Sequence, residues 1–127
     1  NDSALLRWNS DKRYLLELAT HGVDIVPTQF TGRADLAAVL ASTPARPVVV
    51  KPTVSGSAWH TVRGTVGDAA FDDAVTQLPQ GHDYLVQPFV PQIVSEGEWS
   101  LLYFTAIISL VGFARGVWHF SYNDIDT

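Results

Sequence analysis

The sequence contains no cysteine. That absence removes disulfides, thiolate nucleophiles and zinc ribbons together, and it suits a cytoplasmic protein. Positive charge is scarce as well: 8 Lys and Arg face 13 Asp and Glu, for a net charge of −5 at pH 7. A nucleic-acid partner normally requires a basic face, so none is expected. The four histidines, His21, His60, His82 and His119, show no i, i+4 or His-x-His spacing, which argues against zinc. Long apolar runs are missing too. The most apolar one, Leu101 to Ala114, contains Thr105, Ser109 and Gly112 and is too short to cross a membrane. No repeat, low-complexity tract or signal peptide is visible. The first residue is Asn rather than Met, so the chain is read as beginning inside a longer protein.

What is present suffices for a core. The chain has 127 residues, 46% hydrophobic and 17% charged, which is globular and amounts to one domain or two small lobes. The most informative stretch runs from Val48 to Trp59. Val48, Val49 and Val50 are β-branched and read as a short buried strand that delivers Lys51 at its end. Pro52 has no N–H for a further ladder bond, so the strand stops there. Thr53, Ser55, Gly56 and Ser57 then offer hydroxyls and accessible backbone N–H groups beside an ammonium, a workable phosphate cradle. The P-loop pattern does not match, because Lys51 precedes the glycine. The alternative is a lysine snorkelling from a strand end into an ordinary polar turn.

Along the chain, Asn9-Ser10-Asp11 offers a helix N-cap, and Tyr14, Leu15, Leu18 and Ala19 have helical spacing. Gly22 follows His21 as a C-cap signal, so a helix is expected over Asp11 to His21 with Lys12 in its first turn. Val23 to Val26, stopped by Pro27, reads as a strand. A second helix centres on Leu36 to Ala41 and starts near Ala34, and Thr43 to Pro47 connects it to the Val48 strand. Trp59 to Thr65 is expected to pair with that strand, with Thr61 and Arg63 on one face. Gly67-Asp68 opens a third helix striped by Ala70, Phe71, Ala74, Val75 and Leu78, ended by Pro79 to His82. Tyr84 to Gln87 is a buried strand closed by Pro88, Phe89-Val90-Pro91 a stiff connector, and Ser95-Glu96-Gly97 a turn into a strand over Glu98 to Phe104. Trp8, Trp59, Trp99 and Trp118 are expected in the core or in cleft walls. This order implies an α+β fold with a mostly antiparallel sheet and helices packed on one side.

Four landmarks recur in a telling order: Asn9-x-Asp11-Lys12; Val50-Lys51-Pro52 with its Ser-Gly-Ser loop; Leu85-Val86-Gln87-Pro88-Phe89; and Glu96-Gly97-Glu98-Trp99-Ser100. Over roughly residues 7–104 this resembles the ATP-grasp superfamily, in particular its glutathione-synthetase-like branch with the O-ureido-serine type of cyclo-ligase. The resemblance implies that Lys12 is the first phosphate-contacting lysine. It makes Lys51 the second nucleotide lysine, reaching the α/β-phosphates and the adenine edge. Ser55, Gly56 and Ser57 become the mobile loop over the phosphates. Gln87, Pro88, Phe89 and Val90 become the hinge between two ATP-gripping lobes, with the backbone of Phe89 and Val90 reading adenine. Glu98 becomes the acid on the ribose hydroxyls.

The same resemblance implies a partial ATP-grasp domain: residues 7–87 as the first lobe, 88–127 as hinge and start of the second, with an atypical tail from 105. After Phe104 there is no turn signal, and Arg115 is the one later cation. Asn123, Asp124 and Asp126 lack the spacing of the family's metal ligands and read as a polar terminus, so magnesium ligands are expected outside the segment. The implied function is the ATP-binding part of a carboxylate–amine ligase or cyclo-ligase working through an acyl-phosphate, with ATP and Mg2+ as cofactors. The segment alone is expected to be inactive, and no catalytic residue is assigned. A non-catalytic nucleotide-binding module, or an inactive fragment without the metal site, is the alternative. Expected partners are a nucleotide and a small-molecule carboxylate, not nucleic acid or membrane, with homo-oligomer formation left open.

Overall fold

The computed structural model describes residues 3–44, 46–104, 107–114 and 117–118, with side-chain surroundings given up to residue 97. The chain divides into two units, Asn1–Phe89 and Val90–Thr127. The first contains α1 (Ser3–Ser10), α2 (Tyr14–Thr20), β1 (Gln29–Gly32), α3 (Leu36–Ala41), β2 (Pro47–Pro52), β3 (Val62–Thr65), α4 (Ala69–Thr76) and β4 (Asp83–Pro88). Its four strands form one antiparallel sheet in the order β1-β4-β2-β3.

Alternation along the strands divides this sheet into two faces. Val48 and Val50 of β2, with Tyr84 and Val86 of β4, are buried and form one cluster with Leu36 and Leu40 of α3, Phe71 and Val75 of α4, and Leu78. So α3 and α4 cover the same face, as the sequence implied. Both helices are short and depend on this packing more than on propensity. Ser42 and Thr43 end α3 by donating their hydroxyls to the Val39 carbonyl at 2.8 and 2.9 Å. At the start of α4, Asp72 Oδ1 accepts the Gly67 N–H at 3.2 Å, satisfying a donor just ahead of the helix. Arg33 closes the other end: its guanidinium donates to the carbonyls of Val75, Thr76 and Leu78, each at 3.2 Å.

Several expectations need correcting. The helix expected over Asp11 to His21 is α2, beginning at Tyr14, and a separate helix, α1, precedes it. Ser10 does not cap α2: its hydroxyl donates back to the Leu6 carbonyl at 2.6 Å, so Asn9 and Ser10 end a helix instead of starting one. Lys12 therefore lies in a turn between helices, and its N–H donates to the Thr53 carbonyl at 2.8 Å. Val23 to Val26 is not a strand. Val23 and Val26 are exposed, and β1 forms beyond Pro27, where the chain pairs with β4 in the register Gln29↔Val86. α3 begins at Leu36, two residues later than expected, and β3 begins only at Val62, because Ser57, Ala58 and His60 adopt positive φ and turn the chain. Trp8 and Trp59 are exposed rather than in the core.

The second unit holds α5 (Gln92–Ser95), which the sequence did not suggest, and β5 (Glu98–Phe104), β6 (Ile107–Ala114) and β7 (Val117–Trp118). β5 and β6 pair antiparallel from Glu98↔Phe113 to Phe104↔Ile107, so strand structure resumes after Phe104 despite the missing turn signal. β7 pairs with β6 through Phe113↔Trp118 and Ala114↔Val117. Arg115, Asn123, Asp124 and Asp126 lie outside the described residues. Among the described residues, no helix is long and apolar enough to cross a membrane.

Candidate functional site

The sheet face opposite α3 and α4 carries the candidate residues of the first unit. Lys51 is half-buried and pairs with Leu85, while Gln87 and Arg63 both pair with Val49. Because side chains alternate along each strand, Lys51, Gln87 and Arg63 share this face. Two ends of the face are chemically distinct.

At one end β2 runs into the Ser55–Ser57 loop. The Lys12 turn docks there, through its Thr53 bond and an isolated bridge between Asp11 and Val54. The Lys12 ammonium donates to Ser55 Oγ at 2.9 Å and to the carbonyls of Ser55, Pro52 and Thr53 at 3.0, 3.3 and 3.4 Å. Burial pulls its pKa below the ordinary lysine value, and the nearby charge of Lys51 pulls it the same way; Asp11 partly opposes them. Two ammonium groups thus lie within electrostatic reach of one another. Beside Lys12 opens a cavity of about 420 Å³, lined by Asn9, Lys12, Tyr14, Ser55 and Gly56 among others.

The turn is anchored from below. Arg13 donates to Asp11 at 2.9 Å and to Asp83 at the start of β4, and these bonds, that to Asp83 foremost, raise its pKa. Thr53, almost fully buried, donates its N–H to the Asp83 carbonyl at 2.9 Å. The loop beyond is strained: Ser57, Ala58 and His60 have φ of 49°, 56° and 48°, a region that non-glycine residues enter at a cost. Trp59 meets His60 and His82 edge-on, with ring centroids 4.0 and 5.3 Å apart.

At the other end, Gln87 Nε2 donates to Thr28 Oγ1 at 2.8 Å, and the Phe89 N–H continues the ladder onto the Pro47 carbonyl at 2.9 Å. The Arg63 guanidinium lies over the Phe89 ring, 3.4 Å from its centroid. A second cavity of about 360 Å³ opens here beside Thr28, Thr43, Arg46, Gln87 and Pro88.

The fold thus brings Lys12, Lys51, Ser55 and Gly56 to one end of a single sheet face and places Gln87 and Phe89 at the other, whereas Pro88, paired with Val48, belongs to the helix-covered face. Ser57 lies further along the strained loop. Val90 begins the second unit and Glu98 opens its β5. The sequence reading missed Thr28 and the contact made by Arg63. The alternation that put Arg63 on a common face with Thr61 was the available signal for the latter. Among the described residues, no three His, Asp or Glu side chains converge as a metal-ligand set.

No family model matches the chain. It is 37% identical over 113 residues to the cycloserine biosynthesis protein DcsG of Streptomyces lavendulae, covering 83% of this chain and 38% of that protein. The crystal structure of D-cycloserine synthetase DcsG superposes with a TM-score of 0.69 at 32% identity, over 86% of this chain and 40% of that one. D-alanine-D-alanine ligase from Helicobacter pylori gives a TM-score of 0.58 over 91% of this chain and 39% of that one. At 16% identity, the last likeness concerns fold alone.

This chain belongs to the ATP-grasp superfamily.

It spans about two fifths of the length of the ATP-grasp proteins it matches. The sheet with α3 and α4 on one face is the α+β architecture expected of an ATP-grasp chain.

Proposed function

We propose that this ATP-grasp chain is the ATP-binding part of an ATP-dependent ligase that joins a carboxylate to an amine or closes a ring. In the proposed reaction a carboxylate oxygen attacks the γ-phosphorus of ATP, and ADP leaves. A nitrogen nucleophile then attacks the acyl carbon, phosphate departs, and the nitrogen gives up its proton. The observation that carries the reading is the convergence of Lys12 and Lys51 beside the Ser55 loop. Two close ammonium groups repel, and an oligophosphate between them turns that repulsion into attraction.

In this reading Lys12 exchanges some of its carbonyl partners for phosphate oxygens. Ser55 and Gly56 offer hydroxyl and backbone N–H donors beside it, as in other backbone cradles for phosphate. Lys51 stands further along the sheet face towards the hinge. Magnesium would neutralise the transferred phosphoryl group, but the described residues offer no ligand set for it, and no step here passes through it. The role of Glu98 on the ribose, and that of Val90 on adenine, are proposed on the family resemblance alone.

Calorimetric titration with ATP tests the reading. A charge-assisted contact to phosphate contributes roughly 1.5–3 kcal/mol, so Lys51→Ala is expected to weaken ATP binding about tenfold or more. Equal ATP affinity in the parent chain and in Lys51→Ala would remove Lys51 from the site.

A further inference from the structure

The contact between Arg63 and Phe89 has no part in the assignments above, although Phe89 is a proposed adenine-reading residue. Arg63 comes from β3 and Phe89 directly follows β4, so neither sequence neighbourhood nor a shared strand explains the contact. The guanidinium lies over the ring 3.4 Å from its centroid, a stacking distance. Arg63 is otherwise exposed, and among the described residues no carboxylate pairs with it. A planar cation held flat on an aromatic ring has a second face. An exposed guanidinium plane is a surface on which nucleic-acid-binding proteins stack bases.

Position supports the same idea. Lys51 pairs with Leu85, and Phe89 lies four residues further along that chain direction. At roughly 3.3 Å per residue the separation is about 13 Å, which places Phe89 well beyond the phosphate end. The sheet face thus has ammonium groups at one end and a stacked planar pair at the other. That is the polarity of a nucleotide laid along it with its phosphates toward the loop.

We propose that Arg63, seated on Phe89, is the stacking platform for the base of the bound nucleotide. The inference rests on the nucleotide reading of this face and deepens it by adding a residue that touches the base. Arg63 contributes here through its plane more than its charge, so Lys is a partial substitute that keeps the cation and loses the flat surface.

Inorganic tripolyphosphate has the phosphates of ATP and no base, so it separates the two ends of the site. Titrating the full chain with each ligand by calorimetry, Arg63→Ala is expected to weaken ATP roughly three- to thirtyfold, the range of cation–π and base-stacking contacts. Tripolyphosphate affinity should stay within about twofold of the parent chain. Arg63→Lys should fall between the parent and Arg63→Ala for ATP, whereas Lys51→Ala should weaken both ligands. Unchanged ATP affinity in Arg63→Ala overturns the platform, and so does an equal loss for ATP and tripolyphosphate, which would mark a general charge effect. A parent chain that binds neither ligand overturns the nucleotide reading itself.

Discussion

Replacing Gly64 by alanine tests the sheet–helix packing that fixes which strand residues face the site. Gly64 pairs with Val48 in the register between β2 and β3, on the face covered by α4. A Cβ at this position would stand 2.6 Å from Phe71 Cδ2, 2.7 Å from its Cβ and 2.8 Å from its Cγ. Ordinary carbon contacts begin near 3.5 Å, so one partner must move by most of an ångström. Phe71 is 4% exposed within the core cluster and has little room to yield. Overpacking of this kind costs typically about 1–3 kcal/mol. The sign is informative, because Gly→Ala without a clash usually stabilises, by reducing the freedom of the unfolded chain. Gly64→Ala should therefore lower the urea midpoint at unchanged m-value. Combining it with Phe71→Leu should give less destabilisation than the two singles summed, a coupling that marks direct contact. An exposed Gly64 would predict neutral or improved stability. That result would refute the packing of β3 under α4, and with it the placement of Arg63 on the opposite face.

Two further substitutions probe the same core from other sides. Tyr84 is fully buried and donates its hydroxyl to the Pro79 carbonyl at 2.7 Å, so Tyr84→Phe should cost about 1 kcal/mol in chemical denaturation. Burial raises the Tyr84 pKa, against the opposing charge of Arg33. The native state therefore keeps a proton that the unfolded state releases, and this contribution, complete below the ordinary tyrosine pKa, is lost as pH rises through the raised value. The fall in stability above about pH 10 should accordingly be shallower in Tyr84→Phe than in the parent chain. Arg33→Ala removes the donor to three carbonyls at the end of α4 and should cost about 1–3 kcal/mol, read as a shifted midpoint; no shift would show those carbonyls to be satisfied by water.

How far the sequence revealed the molecule depended on what decided each element. β2, α3 and β5 were legible because β-branched, apolar-periodic or turn-bounded residues settle them locally. α1 was missed because Asn9 and Ser10 favour both ends of a helix, and only the bond from Ser10 back to Leu6 shows which end they form. Val23 to Val26 looked like a strand by composition, yet strand identity there is fixed by pairing with β4, which begins beyond Pro27. The start of β3 was misplaced because left-handed backbone at Ser57, Ala58 and His60 has no glycine to announce it. At the candidate site, Lys51 and the Ser55–Ser57 loop were legible from their own chemistry, whereas Lys12 and the hinge residues came from the resemblance. Their approach to one another is a property of the sheet. Arg63 on Phe89 joins the ends of two strands with β2 between them, which no local pattern encodes.

The central claim is that Lys12 and Lys51 together hold the phosphates of a nucleotide, and a double-mutant cycle on ATP affinity tests it most directly. Lys12→Met and Lys51→Met keep most of each apolar stem and remove the ammonium, and ATP affinity is measured by calorimetry in the parent chain, both singles and the double. The account predicts that each single weakens ATP about tenfold or more, and that the pair is non-additive by at least about 0.5 kcal/mol, as for groups contacting one ligand. Strictly additive losses would place the two lysines at independent sites. ATP affinity unchanged in either single variant would contradict the shared phosphate seat outright.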